Sequence, residues 1–115
     1  MSYTFSEQQQ IQILSTDSLW IPEDNQSIIE SLKALIAENK SKFIIDLSNC
    51  PYINSIGLSF LISILTRARS AGGEVILCGI SDKVRQLLLL TRLQSMFTVT
   101  ESVTEALNQF NLTKA

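Results

Sequence analysis

Few residues in this chain of 115 are equipped for chemistry, and Ser55 is the most telling of them. A serine hydroxyl becomes a nucleophile when a base stands beside it, or a charge carrier when a kinase phosphorylates it. The chain has no histidine, which removes both the commonest general base and the commonest metal ligand. Lys40 and Lys42 precede an apolar strand at the end opposite Ser55, and no glycine-rich phosphate loop or nucleotide fingerprint occurs. Cys50 and Cys78 lack metal-ligand spacing and sit at or just past the ends of apolar runs, the setting of a small buried hydrophobe. The residues therefore predict no catalytic group, no metal and no cofactor, with hydrolysis through Ser55 as the one enzymatic alternative.

The elements that must position Ser55 are readable around it. Phe43–Leu47 is a short apolar run expected as a buried strand. A loop with Asn49, Pro51 and Asn54 follows, and Ser55 and Gly57 open an apolar helix expected from about Leu58. A serine there has two readings. It can be the N-cap, its oxygen accepting a backbone N–H one turn on. It can instead be a phosphate acceptor, because a helix N-terminus offers unpaired N–H groups and partial positive charge.

Two short edge strands are expected before this unit, Tyr3–Phe5 and Ile11–Leu14, joined through Glu7–Gln10. A helix capped by Asp24 or Asn25 should run to about Asn39, with Ile28, Ile29, Leu32, Leu35 and Ile36 on one face. In the helix after Gly57, Leu58, Leu61, Leu65 and Ala68 share a face that Phe60 and Ile64 widen. So broad an apolar surface implies deep burial, a partner or both. Gly72 and Gly73 end that helix. Val75–Cys78 is the next strand, Ser81 caps a helix over Asp82–Leu90, Phe97–Val99 forms a short strand, and Thr100 or Ser102 starts a last helix. Strands and helices in this order predict one α/β domain over 1–115, with a mainly parallel sheet of about four to five strands and about four helices. In such sheets ligands gather beyond the carboxyl ends of the strands, which is where Ser55 lies. Trp20 is expected over the sheet edge, Asp46 as an acceptor of loop N–H groups, and Arg67 and Arg69 on a solvated helix face.

Composition narrows the function. Apolar residues make up 45% and charged residues 17%, as in globular chains. A net charge of −2 with dispersed arginines argues against nucleic acid as a partner. The longest apolar stretch, Ile53–Leu65, is broken by polar residues and falls short of the roughly 20 residues a membrane span requires, so no membrane insertion is expected. Two unpaired thiols fit a reducing, cytoplasmic setting.

The ordered set of motifs from Phe43 to Phe110 resembles the STAS family, the domain shared by sulphate transporters and bacterial anti-sigma factor antagonists. The family's hallmark is a strand ending in Asp-Leu-Ser, then an Asp-Ser-Ser/Thr-Gly-Leu turn and an apolar helix. Here these are Asp46-Leu47-Ser48 and Asn54-Ser55-Ile56-Gly57-Leu58. The resemblance implies a stand-alone antagonist that binds an anti-sigma factor, itself a serine kinase, and so frees a sigma factor. Phosphorylation at the position of Ser55 would end binding, and a serine phosphatase would restore it. Asn54, Ser55, Ile56, Gly57 and Leu58 would form the partner-binding segment of a monomer or weak dimer. Two departures stand out: Asn54 replaces the usual acid, and Trp20 or Ile21 stands where a second acid is common, with Glu23 and Asp24 close by in sequence. The alternative within the family is an unphosphorylated subunit of a transporter or sensory complex, held through the apolar helix.

Overall fold

The computed structural model describes residues 3–112. Five strands form one sheet in the order β1 (Tyr3–Gln8), β2 (Ile11–Thr16), β3 (Lys42–Asp46), β4 (Glu74–Cys78) and β5 (Thr98–Thr100). β1 runs antiparallel to β2, and the other neighbours are parallel. Four helices, α1 (Pro22–Ala37), α2 (Ser55–Ser70), α3 (Asp82–Leu90) and α4 (Val103–Leu112), alternate with the strands. This is the α/β architecture expected. The short alternation within each strand explains the layering, because successive side chains point to opposite faces. Phe43, Ile45, Val75 and Leu77 pack with α1, α2 and α3 in the larger core, whereas Ile44, Ile76 and Cys78 pack under α4 in the smaller one.

Element boundaries depart from the sequence expectations in physically readable ways. β1 continues to Gln8 because Gln9 and Gln10 take left-handed φ of 54° and 67° and close a two-residue hairpin. That conformation usually selects Asn or Gly, so the turn carried no sequence signal. α1 starts at Pro22, not after Asp24 or Asn25. A proline suits the first helical position, where its missing N–H costs nothing, and the Asn25 amide instead donates to the Leu19 carbonyl at 2.9 Å. α1 ends at Ala37, with Asn39 at φ 64° beyond it. β3 and β5 each lie one residue from their expected positions, and a 3₁₀ turn at Leu93–Ser95 was not foreseen.

The breadth of apolar surface on α2 is accounted for by burial. Gly57, Leu58, Phe60, Leu61, Ile64, Leu65 and Ala68 all lie in the interior. Arg69 is more than a solvated side chain: its guanidinium pairs with Glu74 at 3.0 Å and donates to the Met96 carbonyl at 2.8 Å. It thereby ties the end of α2 to β4 and to the turn before β5. Both cysteines are buried, as expected. Burial, with the Asp46 carboxylate nearby, pushes the Cys78 thiol up to about 12, and burial also raises Cys50. Both thiols are therefore protonated and inert at neutral pH.

A candidate phosphoacceptor site at the start of the second helix

β3 delivers the chain to the carboxyl edge of the sheet, and a short chain of hydrogen bonds shapes the loop that follows. Asp46 Oδ1 accepts from the Ser48 N–H at 3.0 Å and from its hydroxyl at 2.7 Å. This is the turn-capping role expected of Asp46. The Leu47 N–H donates to the Cys78 carbonyl at 2.9 Å, and Cys50 N–H to the Leu47 carbonyl at 3.0 Å. Ser81 is used twice. It caps α3 by accepting from the Val84 N–H at 3.2 Å, and its hydroxyl donates to the Pro51 carbonyl at 2.7 Å. The loop carrying the site is thus fastened to the start of α3, a tie that the spacing of Ser81 from Pro51 in sequence gave no means of finding.

α2 begins three residues earlier than expected, at Ser55, and its cap is Asn54. Asn54 has extended backbone, and its Oδ1 accepts the Gly57 N–H at 2.9 Å while its carbonyl accepts from Leu58 N–H at 2.9 Å. Ser55 is therefore not the cap. It occupies the first helical position, exposed, with its hydroxyl uncommitted. The N–H groups of Ser55 and Ile56 have no intrahelical acceptor, as the first turn requires, and no acid stands in that turn. An anion on Ser55 would meet those donors and the positive end of the helix.

Neighbouring residues divide by burial. Ile56 is 58% exposed and Tyr52 54%. Gly57 and Leu58 are buried, so of the five expected contact residues these two support the turn more than they face outward. Gly57 lies in close packing: a Cβ there would come within 3.1 Å of Leu19 Cβ and 3.4 Å of Ile53 Cβ. Trp20 is half-buried and meets Tyr52 edge-on at 6.2 Å between ring centroids, so the loop before α1 reaches the site through an aromatic pair. Glu23 and Asp24 form the acidic first turn of α1. Ser59 and Ser63 lie within α2, and Ser48 is bonded to Asp46.

Replacing Asn54 by Ala removes the acceptor of the Gly57 N–H. The expected cost is about 1 kcal/mol, seen as a melting temperature lower by about 5 °C in thermal unfolding followed by circular dichroism. Asn54→Asp, which keeps an acceptor oxygen, should melt at or above the parent. Equal melting of Asn54→Ala and parent would show that the cap is dispensable.

Between α2 and α3 runs an open groove of about 650 Å³, lined among others by Tyr52, Ser55, Leu58, Lys83, Leu87 and Leu90. Residues of α3 were not anticipated as part of the site, although the unbroken leucines at its end were a signal. Among the described residues no cluster of acidic or cysteine side chains is arranged to hold a metal ion, and no helix is long and apolar enough to cross a membrane.

Comparison with known proteins bears on the fold and the family. A Bordetella bronchiseptica protein named as an anti-sigma factor antagonist, BtrV, is 28% identical over 71 residues, 62% of this chain and 61% of the relative's own length. An anti-sigma factor antagonist structure from Thermotoga maritima superposes with a TM-score of 0.79 at 22% identity, covering 93% of this chain and 92% of that one. The Bacillus cell fate determinant SpoIIAA, in its phosphorylated form, superposes at 0.75 with 12% identity, over 95% and 99% of the two chains. At these identities the structural likeness is one of fold. Residues 4–106 match the STAS domain as a family, and the chain belongs to that family.

Proposed function

We propose that this protein is the antagonist component of a bacterial partner switch, acting in the cytoplasm as a binding module with no reaction of its own. Unmodified, it binds an anti-sigma factor that is also a serine kinase, and the sigma factor is released. Phosphorylation of Ser55 ends the complex, and a phosphatase restores it. In the transfer, Ser55 Oγ bonds to the γ-phosphorus of ATP, ADP leaves, and a base of the kinase takes the hydroxyl proton. The observation that carries the reading is the uncommitted, exposed hydroxyl of Ser55 at the first position of α2, with capping assigned to Asn54. The name of the Bordetella relative and the phosphorylated state of the Bacillus neighbour support it.

The test is intact mass after incubation with ATP and, in turn, each kinase-like anti-sigma protein of the same organism, followed by site mapping. One phosphate on Ser55, absent from Ser55→Ala, is expected. No phosphate from any of them, or phosphate persisting in Ser55→Ala, would remove the proposal.

A further inference from the structure

The charge of the chain is divided unevenly. The stretch 55–95, from α2 to the 3₁₀ turn, holds five basic residues and two acids, a net of +3, within a total of −2, so the remainder carries −5. Ion pairs among the described residues join Lys40 to Glu7 and Glu38, and Arg69 to Glu74. Lys83, Arg85 and Arg92, on α3 and just after it, are exposed and make no such pair. The apolar surface is divided in the same way. The large apolar side chains exposed among the described residues are Tyr52, Ile56, Leu89 and Leu90, with Leu90 at 83%. All four stand on the site loop, the first turn of α2 or the end of α3. Along α3, Lys83 and Leu90 share the groove with Ser55, whereas Arg85 and Leu89 lie together on the adjoining face.

From this coincidence we infer that the groove between α2 and α3 receives a helical segment of a protein partner whose apolar stripe is flanked by Asp and Glu. The inference rests on the antagonist reading of Ser55 and adds the chemistry of what docks there. Leu90 and Tyr52 supply the apolar contact, Lys83 meets the acidic flank in the groove, and Arg85 stands outside it on the adjoining face of α3. Asn54 lines the groove and Trp20 meets its lining residue Tyr52; both are uncharged and bring no negative charge to an acidic visitor. A phosphate on Ser55 would then act with a definite sign, repelling the partner's carboxylates and offering Lys83 a charge on its own chain.

The test uses two synthetic amphipathic helical peptides with one leucine stripe, flanked by Glu in one and by Lys in the other. Each is titrated into ¹⁵N-labelled Ser55→Ala protein at low salt, so phosphorylation plays no part. The Glu peptide is expected to bind at least about tenfold more tightly and to shift amides of residues 52–58 and 83–92. Leu90→Ser should weaken it, and Lys83→Glu should lower or reverse the preference; both positions are exposed, so the fold is spared. Equal affinities, a preference for the Lys peptide, shifts elsewhere on the molecule, or no shifts with either peptide would overturn the inference. So would sedimentation showing a dimer through these same residues, which would seat a second copy in the groove. Kinase phosphorylation at Ser55 with no peptide preference would leave the switch standing and this docking rule refuted. A Glu preference without phosphorylation by any kinase would do the reverse.

Discussion

Ser55→Asp should bind the kinase partner about 10- to 100-fold more weakly than the parent, a change of about 1.4 to 2.8 kcal/mol. Ser55→Ala should bind as the parent does and accept no phosphate. The argument follows from position. Ser55 carries no structural duty, because Asn54 holds the cap bond to Gly57, so neither substitution should disturb α2. What Asp changes is charge: one negative charge enters a patch with no acid in its helical turn, beside Ile56 and the groove. Phosphate brings roughly −1.5 to −2 charges at neutral pH, so full phosphorylation should weaken binding further than Asp does. Titration calorimetry on the three proteins decides the matter. Equal affinity for Ser55→Asp and Ser55→Ala would mean that binding does not sense charge at this position.

Gly73→Ala should be among the most destabilising single changes available in this fold, although it adds only one methyl group. A Cβ at Gly73 would stand 1.9 Å from the Ser41 carbonyl oxygen and 2.5 Å from its carbon. These are backbone atoms and cannot rotate aside. They belong to the residue that precedes β3, whose carbonyl accepts the Glu74 N–H at 3.2 Å where β4 begins. Relief of the clash must therefore separate the starts of the two central strands. Overpacking typically costs about 1–3 kcal/mol, occasionally more, and the upper end is expected here, a melting point lower by about 12 °C or more. Gly72 is an instructive control. It has φ of +82° but open space around its Cβ position, so Gly72→Ala should cost only about 1–2 kcal/mol through backbone conformation. Equal melting of the two variants would refute the steric account.

The parts of the fold that were legible in sequence are those where periodicity and punctuation agree. β3 and β4 are short apolar runs with helices between them. Ser81 caps α3 where a serine was expected, and Gly72 with Gly73 closes α2. Legibility fails where two residues compete for one role. Asn54 and Ser55 are both good caps, and only the acceptor of one hydrogen bond, from the Gly57 N–H, separates the capping residue from the one whose hydroxyl is left uncommitted. It also fails where tertiary packing overrides local preference, as at the Gln9–Gln10 turn and at α1, where Pro22 starts a helix that no side chain caps. The groove was hidden for another reason. It joins residues from two helices, and sequence spacing alone does not show that Lys83 and Leu90 border the same space as Ser55.

The two cysteines lie on opposite sides of the sheet, Cys50 in the larger core beneath the site loop and Cys78 in the smaller core under α4. Each should therefore be reached through a different partial opening, Cys50 when the loop between β3 and α2 lifts and Cys78 when α4 swings away. The two thiols are then expected to react as separate clocks, one for the face that bears Ser55 and one for the opposite face. A protein seated on Ser55 and its groove would slow modification of Cys50 by a thiol reagent and leave the Cys78 clock running at its own rate.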